Sequence, residues 1–204
     1  IDLTYIPLAD RETSLSEMRS AMARISSAVK NAVSGSSVIA SPRLDAPKCV
    51  VQTLHATVKI EPNSVMRGTL HEPSTRAIVT VAQDEFDAYV EAPIVSLPDL
   101  YAGKIVAALD RQHPRDLFDV ELMLRHEGLT PEIRSAAVVY VACSARPIAE
   151  ILAPSRKPLS QVYAREFIGM TRNPMSVEDL EETREEVITR VMSDMTLAER
   201  RFLL

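Results

Sequence analysis

Apolar and polar side chains alternate at the beginning of the chain. Ile1, Leu3 and Tyr5 are apolar, and a polar residue follows each of the first two. An alternation with a period of two is typical of a β-strand that buries one of its faces. We therefore predict a strand within residues 1–8, and Pro7 is expected to end it because proline cannot donate a ladder hydrogen bond.

The spacing of apolar residues changes to that of a helix after Ser14. Positions three or four residues apart are occupied by Leu15, Met18, Met22, Ile25, Val29 and Val33. Such a stripe predicts an amphipathic helix. Ser14 and Glu17 have the spacing of a capping box at its start, and Gly35 is expected to end it.

Segments rich in Val, Thr and Ile follow this helix and a polar stretch. Residues 49–61 are long enough for one or two strands, and residues 77–81 and 86–94 are shorter strand candidates. The first half of the chain therefore predicts a small mixed sheet with at least one helix packed on it.

Helical signals dominate from Ser96 onward. Ser96 can cap a helix that runs to about Arg111, and Pro114 suits the first turn of another helix, which Gly128 ends. Further helices are predicted from Thr130, over residues 159–168, over residues 177–195 and from Leu197 to the end of the chain. We place the boundary between the two kinds of structure near Ser96.

These elements predict an α/β fold of the α+β kind, with a mixed-sheet region at residues 1–95 and a helical domain at residues 96–204. A net charge of -5 argues against broad electrostatic attraction to nucleic acid. No segment approaches the roughly 18 apolar residues that a membrane helix needs, and no secretory signal is visible. We expect no membrane association and a cytoplasmic location.

Charged residues at helical spacing are densest between residues 104 and 119. Lys104 and Arg111 share one stripe of the first predicted helix, and Asp116 and Asp119 lie one turn apart on the next. Small residues flank Lys104 on the predicted helix, and they leave room for a ligand beside its ammonium group. Another interpretation stays open, because Asp116 can be a favourable first-turn charge and Arg115 with Asp119 an ordinary i,i+4 pair.

A second group of charges lies on predicted strands. Lys59 and Glu61 are two positions apart and therefore on one face of a strand, and Asp2 is on the opening strand. Carboxylates on adjacent strands suit Mg²⁺, which takes one or two of them and completes its shell with phosphate oxygens and water. A solvated face is the simpler alternative, and a metal-dependent nuclease that uses Glu61 and Lys59 is another.

Three segments resemble, in order, the motifs of the AbiEii/AbiGii-type toxin nucleotidyltransferases. IDLTYIPLADRETSL resembles the strand and loop just after the first motif, a Gly-Ser pair followed by Asp-x-Asp; Ile1 takes the middle position and Asp2 matches the second aspartate. VKIEP resembles the second motif. KIVAALDRQHPRDLFDV resembles the third, a Lys seven residues before an Arg and then Arg-Asp-x-x-Asp. The Gly-Ser pair and the first aspartate are expected upstream, as in an N-terminally truncated member.

The resemblance implies a minimal nucleotidyltransferase fold, with a partial α/β core followed by a helical domain that contributes to the nucleotide cleft. It implies that Asp2 and Glu61 bind Mg²⁺ and that Lys104 and Asp116 are catalytic. If the protein is a transferase, we expect these four residues to converge on one cleft.

Nucleotide contacts are implied by the same resemblance for Lys59, Arg111 and Arg115. The implied reaction is the transfer of a nucleotide from an NTP, GTP or ATP, to a macromolecular acceptor, either tRNA or protein. The implied setting is a toxin–antitoxin or abortive infection system with a cognate antitoxin. The alternative is a noncatalytic nucleotide-binding or protein-interaction module of the same fold.

Overall fold

The computed structural model describes residues 1–41, 43 and 46–203. The chain forms two compact units, and the change from the first to the second falls between Thr69 and Leu70. This position is earlier in the chain than the boundary predicted near Ser96. Within the described residues, no helix is long and apolar enough to cross a membrane.

The first unit is a four-stranded sheet with one long helix. Its elements are β1 (Asp2–Tyr5), α1 (Arg11–Ala32), β2 (Ser37–Ala40), β3 (Cys49–Gln52) and β4 (Thr57–Arg67). The strand order is β1-β4-β3-β2, with β1 parallel to β4 and the other two pairings antiparallel. The predicted small mixed sheet is confirmed.

Helix α1 covers one face of this sheet and forms its core. The buried residues are Met22, Cys49, Val51 and Ile60, and the partly buried ones packed against them are Leu3, Ile25, Val29 and Val38. Several members of the predicted apolar stripe therefore do face the sheet. Full burial of one Met, Val or Ile side chain stabilises the fold by about 1.5–3 kcal/mol relative to exposure.

The start of α1 differs from the predicted capping box. Asp10 caps the helix, because its carboxylate accepts a hydrogen bond from the Thr13 backbone N–H at 2.9 Å. Ser14 lies in the first turn instead, buried, and its hydroxyl donates to the Asp10 carbonyl oxygen at 2.7 Å. The aspartate is the stronger cap because it also accepts from the Thr13 hydroxyl at 2.6 Å.

Strand β2 was not predicted, because its sequence lies in a polar stretch with no clear alternation. It forms at the edge of the sheet by pairing with β3 along its whole length, from Ser37 opposite Gln52 to Ala40 opposite Cys49. The strand thus depends on a partner that is distant in the sequence.

The second unit begins with a two-stranded hairpin, β5 (Ser74–Ala77) and β6 (Glu91–Ile94), whose connection contains helix α2 (Thr80–Phe86). Of the strands predicted over residues 77–81 and 86–94, only Ala77 and Glu91–Ile94 lie in strands, and the prediction is wrong for the rest, part of which forms α2. None of the residues of α2 is buried. The β-propensity of its one valine, Val81, is therefore not reinforced by packing against a neighbouring element.

The rest of the second unit is helical, as predicted. The helices are α3 (Leu97–Arg111), α4 (Pro114–His126), α5 (Pro131–Ala142), α6 (Ile148–Leu152), α7 (Ser160–Glu166), α8 (Val177–Ser193) and α9 (Leu197–Phe202). Ser96 caps α3, and capping boxes begin α8 and α9. The predicted last helix is observed as far as Phe202, and Leu204 lies outside the described residues.

Large apolar side chains from several of these helices form the core of the second unit. The fully buried ones include Ile105, Leu109, Leu117, Val120, Met123, Leu180, Val187 and Val191. Helices α3 and α5 pack against each other, and each carries small buried residues, among them Ala102 and Ala136. The α/β fold class predicted from the sequence is confirmed by these two kinds of unit.

Candidate functional site

Two acidic residues lie side by side on the open face of the first unit. Asp2 is the register partner of Glu61 in the parallel pairing of β1 and β4, and the Glu61 backbone N–H donates to the Ile1 carbonyl oxygen at 3.0 Å. Adjacent strands are about 4.8 Å apart, and paired residues point to the same face. Leu3 and Ile60, the neighbours of these acids in sequence, pack in the core under α1. The carboxylates therefore lie on the face opposite α1.

Lys59 lies on the same open face. Its Nζ is 2.5 Å from Glu61 Oε1, and the two side chains are 51% and 35% exposed. An exposed ion pair of this kind contributes roughly 0.2–1 kcal/mol. Lys59 can therefore exchange Glu61 for another anion, such as a phosphate, at small cost.

The pair formed by Asp2 and Glu61 fits one kind of metal site. In the described part of the chain, no three His, Cys, Asp or Glu side chains are grouped so that they could hold a metal ion. A closed zinc site, which needs four protein ligands, does not fit two carboxylates. Mg²⁺ does fit, because it takes one or two carboxylates and leaves its other positions to water and phosphate oxygens.

Lys104 and Asp119 form an ion pair in the second unit. Lys104 Nζ on α3 donates to Asp119 Oδ2 on α4 at 2.6 Å, and each side chain is 38% exposed. The predicted alternative paired Asp119 with Arg115 along one helix. Arg115 lies instead 3.9 Å from Glu166 on α7. The partner of Asp119 thus comes from the neighbouring helix, with its ammonium group partly open to solvent.

Asp116 is the most unusual acid of this second group. Arg111 Nη2 donates to Asp116 Oδ1 at 2.7 Å, and the Asp116 side chain is only 9% exposed. The other oxygen, Oδ2, is buried and has no hydrogen-bond partner among the described residues. Burying an unpartnered polar atom costs about 1–3 kcal/mol. Asp116 is therefore more than a solvated first-turn charge, and its unpartnered oxygen is enclosed by the protein.

The structure thus places the predicted site residues in two groups. Asp2, Lys59 and Glu61 lie together in the first unit. The second unit pairs Lys104 with Asp119, Arg111 with Asp116, and Arg115 with Glu166. The convergence of the metal and catalytic residues on one cleft stays a prediction.

A buried acid that the sequence did not single out anchors the beginning of the second unit. Asp99 on α3 accepts hydrogen bonds from the backbone N–H groups of Leu70 at 2.8 Å and His71 at 3.1 Å. It also accepts from the hydroxyls of Ser96 at 2.7 Å and Tyr140 at 2.9 Å. Only the Ser96 contact has a local signal, because it belongs to the helix cap.

These contacts determine the charge of Asp99. Burial alone raises the pKa of this carboxyl, but the hydrogen bonds that it accepts outweigh burial and hold its pKa below the usual range. The pKa of Tyr140 is raised, first by burial and then by its hydrogen bond to Asp99. Asp99 is therefore an ionised group with a structural role.

The His71 ring adds a further contact to this network, with Nδ1 at 3.1 Å from Asp99 Oδ2. The imidazole side chain is 47% exposed, whereas the Asp99 side chain is fully buried. The network therefore extends from the interior of the second unit to its surface.

Comparisons with known proteins agree with the motif resemblance. The family model described as "Nucleotidyl transferase AbiEii toxin, Type IV TA system" matches residues 1–200. The structure is similar to MenT4, a nucleotidyltransferase toxin from Mycobacterium tuberculosis H37Rv, with a TM-score of 0.66 and 15% sequence identity over 91% of this chain and 68% of that chain. At this identity the likeness shows a shared fold. No curated protein matches the sequence. Because the family model spans nearly the whole chain, this protein belongs to the AbiEii nucleotidyl transferase toxins of type IV toxin–antitoxin systems.

Proposed function

We propose that this protein transfers a nucleotide from an NTP to a macromolecular acceptor in an Mg²⁺-dependent reaction. The observation that carries the proposal is the pairing of Asp2 with Glu61 on the open face of the sheet, in a chain that belongs to a nucleotidyl transferase family. Two carboxylates on adjacent strands are a suitable protein contribution to a site that phosphate oxygens complete.

In the first unit, Asp2 and Glu61 would hold Mg²⁺, and Lys59 would contact the phosphates. A bound Mg²⁺ would supply charge neutralisation for the phosphates and for the leaving pyrophosphate. Lys59 already lies within contact of Glu61. Its exposed ammonium group can turn to a phosphate oxygen without leaving a buried charge unpaired.

In the second unit, we assign Lys104 to the triphosphate and Asp116 to proton acceptance. Lys104 is a compact cation on a flexible stem, so it can follow negative charge as that charge moves to the leaving group. Asp119 holds Lys104 at 2.6 Å and thereby orients it. Arg111 contacts Asp116 and is itself 63% exposed, so it is available to the nucleotide together with Arg115.

The proposed step is an in-line displacement at the α-phosphorus of the NTP. A hydroxyl oxygen of the acceptor forms a bond to phosphorus, and the bond from phosphorus to the oxygen that bridges to the β-phosphate breaks. Pyrophosphate leaves with the electron pair of that bond, and the hydroxyl proton passes to Asp116. The unpartnered Asp116 Oδ2 supports this role, because no group in the described residues bonds to it. Since Oδ2 is buried, the acceptor hydroxyl reaches it only when the surrounding side chains move.

The setting of the reaction follows in part from the family. A type IV toxin–antitoxin system implies a cognate antitoxin. Our proposal adds GTP or ATP as the donor, tRNA or protein as the acceptor, and a cytoplasmic role in abortive infection. The acidic net charge of -5 favours an acceptor that is recognised locally over one that is held by a broad basic surface.

A second function, a noncatalytic nucleotide-binding or protein-interaction module, is favoured by one observation. Lys59, Lys104 and Arg111 all pair with carboxylates of the chain itself. Cations that remain paired in this way would stabilise the fold and perform no chemistry.

Isothermal titration of GTP and ATP with Mg²⁺ into the complete protein tests the proposal. We expect Lys104→Ala to weaken binding at least about tenfold, which corresponds to about 1.4 kcal/mol. Lys30→Ala is the matched control, because Lys30 is an exposed lysine in the last turn of α1. Transfer of labelled nucleotide to tRNA and to protein is then measured with the same variants. Nucleotide binding without transfer would support the noncatalytic module, and absence of binding would refute the proposed function.

A further inference from the structure

Two apolar side chains lie on the open face of the first unit, beside the charged residues. Ile39 on β2 is the register partner of Val50 on β3, and Val50 is the register partner of Lys59 on β4. Partners in adjacent strands point to the same face of a sheet. Ile39, Val50 and Lys59 therefore form one row across three strands, on the face that carries Asp2 and Glu61.

This row is accessible to a ligand. Ile39 is 54% exposed, and Val50 is partly buried. A single exposed isoleucine is ordinary on a protein surface. Here two neighbouring apolar side chains form a continuous surface that ends at a lysine, and this combination distinguishes the row from scattered exposure.

The next row along the strands is polar. Thr57, Gln52 and Ser37 are successive register partners on the same face. The apolar pair is thus bounded by the charged group on one side and by hydroxyl and amide groups on the other. The strand spacing of about 4.8 Å places Ile39 about 10 Å from Lys59 across the sheet. A nucleoside whose phosphates lie at Lys59 and Glu61 can reach this position.

We infer that Ile39 and Val50 form the seat for the nucleoside part of the NTP substrate. The inference rests on the proposed function, because the charged group must hold the phosphates. Aliphatic side chains can pack against a base or a ribose ring, but they carry no hydrogen-bonding groups that read the edge of a base. The seat therefore contributes affinity for the nucleoside without distinguishing ATP from GTP.

The test compares whole nucleotides with their phosphate part. ATP, GTP and inorganic tripolyphosphate are titrated with Mg²⁺ into the complete protein and into Ile39→Ser and Ile39→Leu variants. We expect Ile39→Ser to weaken ATP and GTP binding about tenfold, or about 1.4 kcal/mol, and to leave tripolyphosphate binding unchanged. Ile39→Leu should retain most of the nucleotide affinity.

Leu54→Ser is the matched control, because Leu54 is 95% exposed and lies between β3 and β4, outside the row. Thermal unfolding confirms that each variant is folded. Equal ATP affinity in the wild-type protein and in Ile39→Ser, with intact tripolyphosphate binding, would overturn the nucleoside seat and leave the proposed function standing. Failure of the wild-type protein to bind any of the three ligands would overturn both.

Discussion

The two compact units place acidic residues in opposite environments. On the sheet of the first unit, Asp2 is exposed, and Glu61 is 35% exposed and paired with the exposed Lys59. In the helical unit, the Asp99 and Asp116 side chains are 0% and 9% exposed. A carboxylate on the exposed face of a strand stays hydrated and costs little free energy. A carboxylate buried in a helix bundle is costly unless its oxygens accept hydrogen bonds. The notable acids of the helical unit are therefore recognised by their burial. Those of the sheet are recognised by their pairing across adjacent strands.

A further difference separates the two buried acids. Both oxygens of Asp99 accept hydrogen bonds, so this residue stabilises the fold. One oxygen of Asp116 accepts none among the described residues. Buried polar atoms are nearly always satisfied, so an exception is informative about function. Full satisfaction indicates a structural role for Asp99, whereas the unpartnered oxygen makes Asp116 a candidate for a functional role.

The largest expected effect is on the free energy of unfolding when Asp99 is replaced. Asp99→Asn turns one acceptor oxygen into an N–H donor that faces other donors. We expect a loss of about 3 kcal/mol, because buried donors lose their partner. Urea unfolding monitored by circular dichroism measures the change. Asp2→Asn is the control on the exposed sheet and should unfold like the wild-type protein. Similar midpoints for wild type and Asp99→Asn would contradict the structural role.

The same variant should change how stability depends on pH. The pKa of Asp99 is lowered in the folded protein from its ordinary value of 3.8. Its contribution is present above 3.8 and is lost as the pH falls through the lower folded pKa. Between neutral pH and strong acid, the wild-type protein should therefore lose more stability than Asp99→Asn.

The next largest effect is on catalysis, when Asp116 is replaced. Asp116→Asn retains an oxygen for Arg111 but cannot accept a proton. We expect nucleotide transfer to fall about 100-fold, with a change in unfolding free energy of about 1 kcal/mol, because Asn keeps a hydrogen bond to Arg111 but removes the charge of the pair. The rate of labelled nucleotide transfer measures the effect. Asp84→Asn, at an exposed position on α2, is the control. Undiminished transfer by Asp116→Asn would show that Asp116 is not the proton acceptor.

The smallest effect is expected for Lys59 on the sheet. Lys59→Met keeps the apolar stem and removes the charge. The free energy of unfolding should change by less than about 0.5 kcal/mol, because the Lys59–Glu61 pair is exposed. Tripolyphosphate affinity measured by titration should fall several-fold, whereas Lys30→Met should leave it unchanged. A large loss of stability with unaltered affinity would make Lys59 a structural residue and weaken the contrast between the two units.

The sequence predicted much of the fold where local interactions decide the structure. Ser96 caps a helix in the structure as its spacing indicates, and capping boxes begin the helices predicted over residues 177–195 and from Leu197. The apolar stripe of α1 predicted a helix on the sheet, although Asp10 rather than Ser14 caps it. Caps and stripes depend on residues three or four positions apart, so they are visible in one sequence.

Local sequence patterns gave the wrong prediction where the secondary structure depends on pairing with a distant strand, or where the segment has no element to pack against. Strand β2 exists because β3 pairs with it. Residues 80–86 form a helix with no buried residue, although Val81 favours a strand. The choice between strand and helix depends on the surface against which a segment packs, and the pattern of residues within the segment does not show that surface.

For the candidate site, the sequence by itself determined the identities of the charged residues and their order in three motifs. It also placed Lys59 and Glu61 on one face of a strand, because the period of a strand is two. Only the tertiary structure decided that Asp2 lies opposite Glu61, that Asp119 holds Lys104, and that one oxygen of Asp116 is buried without a partner. Strand register and helix packing join residues far apart in the chain, and their energy depends on the whole folded unit.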